Sequence, residues 1–178
     1  WAYQKMDALP DIVTMGKPMA NGHPVGAVVT RPEIMAIFRN SFSYFNTFGG
    51  NPVSCAAAMA VLEEIEVADL TANALKVGTY ARERLSALME RFPVIGNVRG
   101  MGLVFGAEMV LDRDSMSPAT AYTDRVVNAM RARGVLLSKL GRHRNTLKIR
   151  PPMPFSMANV DHLISTLDEV LAQTPLEP

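Results

Sequence analysis

Lys17 stands between Gly16 and Pro18, directly after a short β-branched run, Ile12-Val13-Thr14. These residue types put a primary amine on a tight turn where a strand ends. The run reads as a buried strand, and in α/β folds ligands bind at the carboxyl ends of such strands. An amine that attacks a carbonyl must lose its proton, so it has to be held still and partly desolvated. From the spacing alone, a solvated turn lysine is the commoner reading of the same residues.

A second segment adds weight. Tyr44-Phe45-Asn46-Thr47-Phe48-Gly49-Gly50-Asn51-Pro52 is a glycine-containing loop running into a helix. Asn51 suits an N-cap and Pro52 the first helical position. The glycines let the backbone approach a ligand. The Thr47 hydroxyl and the N–H groups near the helix start could hold an anion such as phosphate. Standing alone, this loop is equally an ordinary capped helix after a turn.

Four blocks in order, the lysine segment Asp11–Gly22, the loop Asn46–Pro52, Val98-Arg99-Gly100-Met101-Gly102-Leu103 and Leu147-Lys148-Ile149-Arg150-Pro151-Pro152, together resemble the class III aminotransferases. These are pyridoxal-phosphate enzymes of fold type I. The wording Gly-Lys17-Pro-Met-Ala-Asn-Gly-His-Pro and Phe48-Gly-Gly-Asn-Pro-Val-Ser-Cys55 is most similar to the alanine–glyoxylate aminotransferase 2-like branch, which also contains phospholyases. The resemblance implies that Lys17 binds the cofactor as a Schiff base and later moves the substrate's α-proton. It implies that Thr47 hydrogen-bonds the cofactor phosphate, usually that of the neighbouring subunit of a homodimer. Arg150 would hold the substrate carboxylate through two parallel hydrogen bonds, which a planar guanidinium provides. The partners implied are small molecules, an amino donor and a keto-acid acceptor, with a phospholyase reaction as the alternative.

The same resemblance places the match just downstream of the family's Asp-Glu-Val-Gln block, whose aspartate pairs with the pyridinium nitrogen. Asp7 and Asp11 lie past that block and are not its replacements. The chain therefore reads as the C-terminal part of a larger enzyme, expected to be inactive by itself or to act only in subunit contact.

The elements that must position these residues follow from pattern. Residues 1–66 read as the C-terminal piece of the cofactor-binding large domain. In it, Ile12–Thr14 is one strand, Val25–Thr30 the next and buried on both faces, Glu33–Arg39 a short helix, and Pro52–Ile65 a longer one. Residues 67–178 read as a small C-terminal α/β domain, a sheet covered on one face. Asp69–Arg91 is a long helix with apolar Leu75, Tyr80, Leu85, Leu88 and Met89 at approximate helical period. Strands are expected at Val94–Val98, Leu103–Val110, Val135–Leu137 and Thr146–Ile149. A helix over Pro118–Arg133 is expected to be capped by Ser117 and stopped by Gly134, and one over Ala158–Ala172 to be capped by Ser156.

Composition narrows the function classes. Hydrophobic residues make up 48% of the chain, and 18 basic against 17 acidic residues leave a net charge of +1. That balance argues against nucleic acid or an acidic membrane surface as partner, and no apolar run approaches the roughly 18–20 residues of a membrane span. Cys55 is the single cysteine, so no internal disulfide forms and a reducing cytoplasm fits. A buried small residue is the favoured reading of Cys55. Gly100-x-Gly102-x-x-x-Gly106 has the wrong spacing for a dinucleotide loop and precedes strand-like residues. Arg142-His143-Arg144 reads as a solvated turn. His23, His143 and His162 are too scattered to support a metal site.

Overall fold

The computed structural model describes residues 2–176. It divides into two compact units between Ala68 and Asp69.

The first unit runs α1 (Ala2–Lys5), β1 (Ile12–Met15), β2 (Ala27–Thr30), α2 (Pro32–Ser41) and α3 (Pro52–Val67). The two strands pair antiparallel, from Ile12 against Thr30 to Met15 against Ala27. At the open end Thr30 Oγ1 donates to the Asp11 carbonyl (2.8 Å) and Arg31 pairs with the Asp11 carboxylate. The strands were expected to be buried, and they are not. Ile12 is 51%, Val28 58% and Val29 56% exposed. A ribbon of two strands covers neither of its own faces, and no helix of the described residues packs onto it closely enough to do so. Proline begins both longer helices, as its fixed φ allows. In α3 the Asn51 side chain accepts from Ser54 N (2.9 Å), as an N-cap should.

The second unit runs α4 (Leu70–Arg91), β3 (Ile95–Met101), β4 (Val104–Asp112), β5 (Ser117–Pro118), α5 (Thr120–Ala132), β6 (Ser138–Leu140), β7 (Thr146–Ile149) and α6 (Met157–Gln173). The sheet order is β3-β4-β7-β6, every pairing is antiparallel, and β5 adds to the edge of β4. The three helices supply the cover: Val77, Ala81, Leu85 and Leu88 of α4, Val126 and Met130 of α5, and an apolar stripe of α6 meet Phe105, Ala107, Met109, Leu147 and Ile149 of the sheet.

Several local expectations differ from the structure. Leu75 is 54% exposed, because the buried stripe of α4 passes through Leu70, Val77, Ala81, Leu85 and Leu88 at steps of three, four and seven. Ser117 is not a helix cap. With Pro118 it pairs to Asp112 and Val110 of β4, and α5 starts at Thr120. Val135–Leu137 is not a strand. Gly134 is left-handed (φ +82°) and Val135 N donates back to Met130 O (3.0 Å), so this stretch closes the end of α5 and β6 starts later. Ser156 does cap α6, in a reciprocal box with Asn159. The Gly100–Gly102 segment turns the β3–β4 hairpin. There α4 approaches so closely that a Cβ on Gly78 would lie 1.9 Å from the Gly102 carbonyl oxygen.

Candidate active site

Lys17 lies on the connection between β1 and β2, and three backbone hydrogen bonds fold that connection into successive turns. Met19 N donates to Gly16 O (3.0 Å), Asn21 N to Pro18 O (3.1 Å) and His23 N to Ala20 O (3.0 Å). Asn21 and Gly22 are both at positive φ (+47° and +104°), a conformation natural to asparagine and glycine. The Lys17 amine is exposed and has no hydrogen bond or ion pair among the described residues. It lines a cleft of about 610 Å³ with Thr14, Met15, Met19 and, from α3, Val61, Leu62 and Ile65. The wall is almost wholly apolar, so an amine turned toward it finds no competing partner.

Thr47 sits at the head of the next loop, also exposed, and its hydroxyl has no partner among the described residues. The neighbouring amides are less available than the sequence suggests. Asn46 Oδ1 accepts from Phe48 N (3.2 Å) and Gly49 N (3.0 Å), and Asn51 Oδ1 occupies Ser54 N. These three amides are therefore satisfied within the loop, while the Thr47 hydroxyl and the Gly50 and Val53 amides have no partner among the described residues. Thr47 does not line the Lys17 cleft. The cleft beside it, about 710 Å³, is lined by His23, Asn46, Gly49, Asn51, Ser54 and Cys55 among others, and shares Met19 and Leu62 with the first.

Sequence reasoning missed a contact here. His23 Nε2 and Ser54 Oγ lie 2.8 Å apart, and Ser54 is buried. A histidine after a turn and a serine in the first turn of a helix give no signal of contact across that separation. Cys55, next to Ser54, is exposed rather than buried, because Ser54 and Ala58 occupy the inward face of α3.

Arg150 belongs to the second unit, immediately after β7. The buried Ile149 fixes the strand end, and Pro151-Pro152 leads into a turn in which Phe155 N donates to Pro152 O (3.0 Å). Asn73 of α4, also unforeseen, donates to the carbonyls of Met153 (2.8 Å) and Phe155 (3.0 Å) and clamps this segment. The Arg150 guanidinium is exposed and unpaired among the described residues. It lines a cleft of about 350 Å³ with Lys148, Pro151, Phe155 and His162. A free guanidinium on a braced backbone suits carboxylate capture.

The donor set suits one cofactor class in part. An unpaired primary amine fits a covalent anchor for an aldehyde, and an open threonine hydroxyl fits a contact to phosphate. The Asp11 carboxylate is paired with Arg31 and so is not free to serve a ring nitrogen.

Comparison with known proteins points the same way. The family described as aminotransferase class-III matches residues 1–171. The chain is similar to alanine–glyoxylate aminotransferase 2 homolog 2, mitochondrial, of Arabidopsis thaliana, at 46% identity over 94% of this chain and 35% of that protein. It is similar to ethanolamine-phosphate phospho-lyase homolog 1 of Caenorhabditis elegans, at 41% identity over 96% of this chain and 37% of that protein. Among solved structures it is similar to a phospholyase from Arthrobacter in complex with phosphoethanolamine, with a TM-score of 0.94 and 46% identity over 98% of this chain and 42% of that one. The chain thus spans little more than a third of the curated relatives it matches.

Proposed function

The chain belongs to the class III aminotransferase family, and we propose that it is the lysine-bearing portion of a pyridoxal-phosphate enzyme that transfers an amino group between an amino acid or amine and a keto acid. One observation carries this reading: the unpaired Lys17 amine, held on a hydrogen-bonded turn beside an apolar cleft. Pyridoxal phosphate, when bound, supplies an aldehyde and a ring that stabilises negative charge developing at the substrate α-carbon.

The roles of this chain's own residues follow from their chemistry. Lys17 Nζ would hold the cofactor and, once freed by the substrate amine, would carry the proton from the substrate α-carbon to the cofactor C4′ carbon. The apolar wall of Met15, Val61, Leu62 and Ile65 offers that amine no competing hydrogen-bond partner. Thr47 Oγ1 donates to phosphate. Arg150 binds the substrate carboxylate through two N–H groups. Small-molecule donor and acceptor, a homodimer in which Thr47 serves the neighbouring site, and a reducing cytoplasm are parts of the same proposal, the last supported by the solitary Cys55.

A phospholyase reaction is the second reading, favoured specifically by the 46% identity to a phospholyase and the 41% identity to a phospho-lyase homologue. Three measurements on the full-length protein test these readings. Borohydride reduction of the cofactor-loaded protein, followed by peptide mapping, should label Lys17. A label on Lys5, Lys76, Lys139 or Lys148 instead would sink the assignment. Lys17→Ala should lower turnover by at least about 10⁴-fold, as both the anchor and the proton carrier are lost. Release of inorganic phosphate from phosphoethanolamine, without amino transfer to a keto acid, selects the phospholyase reading.

A further inference from the structure

The bond between His23 Nε2 and Ser54 Oγ (2.8 Å) joins segments 31 residues apart. Each end is tied to a segment already described. On one side, His23 closes the turns that begin at Lys17: its amide donates to Ala20 O, Ala20 and His23 form an isolated antiparallel bridge, and Ala20 is buried. On the other side, Ser54 Oγ accepts from Asn51 Nδ2 (2.9 Å), and the same amide donates to Phe48 O (2.9 Å) in the Thr47 loop. Ser54 Oγ can donate to His23 Nε2 or accept from it, according to the tautomer of the ring.

Little else holds this loop to the rest of its unit. Among the described residues, Ala20 and Ala58 are the apolar side chains that reach full burial there. The helix that carries Ser54 in its first turn also carries Val61, Leu62 and Ile65, the wall facing Lys17. Pinning the loop to one end of a rigid helix therefore fixes the amine relative to a surface further along that helix.

We propose that His23 and Ser54 are positioning residues, a hydrogen-bonded strut that holds the Lys17 loop on α3 and so sets the placement of the Lys17 amine. The proposal rests on the reading of Lys17 as the reactive amine. It does not require the strut to touch substrate or cofactor.

The test compares His23→Ala, His23→Asn, His23→Gln and Ser54→Ala in the full-length protein. Glutamine can bring a polar atom to the place of Nε2, whereas asparagine falls short of it. In the cofactor-free protein, hydrogen exchange at the Met19 and Asn21 amides should accelerate about tenfold in His23→Ala, His23→Asn and Ser54→Ala, the worth of one hydrogen bond. His23→Gln should stay near the parent, and amides of α6 should not change in any variant. With cofactor, kcat should fall roughly 10- to 100-fold in the first three variants from misplacement of the amine. KM for the amino acid should hold within about twofold, because Arg150, the residue proposed to bind its carboxylate, is unaltered. Unchanged loop exchange in His23→Ala, equal acceleration in α6, or failure of glutamine to restore what asparagine does not would overturn the strut. If the loop exchange behaves as expected but borohydride labels another lysine, the reading of Lys17 falls, and the pair's role in placing a reactive amine falls with it.

Discussion

In the second unit, α4, α5 and α6 close over one face of the sheet, and Leu85, Met109, Leu147 and Leu167 are fully buried. In the first unit the same residue types lie open. Val28, Val29, Phe45 and Phe48 are more than half exposed, and no leucine, isoleucine, valine or aromatic residue there reaches burial among the described residues. Yet the first unit carries Lys17 and Thr47, and the second carries Arg150. The residues proposed to hold a cofactor thus sit where local hydrogen bonds, not a core, keep the backbone in place. The residue expected to hold the substrate carboxylate sits on a packed scaffold. Contiguous exposed apolar surface of this kind commonly marks an interaction surface or a ligand groove.

The largest test of that contrast separates the units. Residues 69–178 expressed alone should unfold cooperatively, with coincident transitions by circular dichroism and fluorescence. Residues 1–68 alone should show no cooperative transition. A sharp transition from the first segment would remove the contrast altogether.

Single core substitutions come next. Leu167→Ala removes a fully buried side chain and should cost about 2–5 kcal/mol in the second unit, measured by urea unfolding. Val29→Ala in the same 178-residue chain should change stability by less than about 0.5 kcal/mol, the range typical of exposed positions. A comparable loss from Val29→Ala would mean that β2 is packed in solution.

Arg150→Lys examines whether the packed scaffold serves binding. It keeps the charge and loses the two-pronged fit, so kcat/KM for an amino acid in the full-length protein should drop roughly 10- to 100-fold, about 1.5–3 kcal/mol. The cofactor absorbance should stay unchanged, and an amine without a carboxylate should suffer much less. Equal losses on both substrates would assign Arg150 to structure instead. The smallest effect belongs to Ser156→Ala, which removes the α6 cap and should lower the second unit's stability by about 1 kcal/mol, a shift readable in the same urea titration.

Local signals in the chain located most elements and their ends. Asn51-Pro52 opens α3 and Ser156 opens α6, because a cap is a contact between residues three apart. Gly134 stops α5 because only a left-handed residue lets Val135 N turn back to Met130. Lys17 between Gly16 and Pro18 drew attention to the candidate turn, and four ordered blocks marked the family, since both are written in consecutive residues.

What tertiary structure alone decided is burial and long-range contact. The β-branched run of β2 looks like an interior strand by composition, yet its exposure depends on what lies against it, and its strand partner among the described residues is β1. Leu75 and Val77 are equally apolar, and the direction in which α4 faces the sheet chose between them. Cys55 is exposed and Ser54 buried for the same reason. A glycine-containing loop before a helix suggests amides open to an anion, yet the Asn46 side chain occupies two of them, Phe48 N and Gly49 N. The His23–Ser54 strut spans 31 residues, and neither residue's neighbours carry any trace of it. Local propensity is a property of a few adjacent side chains, whereas burial and cross-chain hydrogen bonds are set by how distant segments pack.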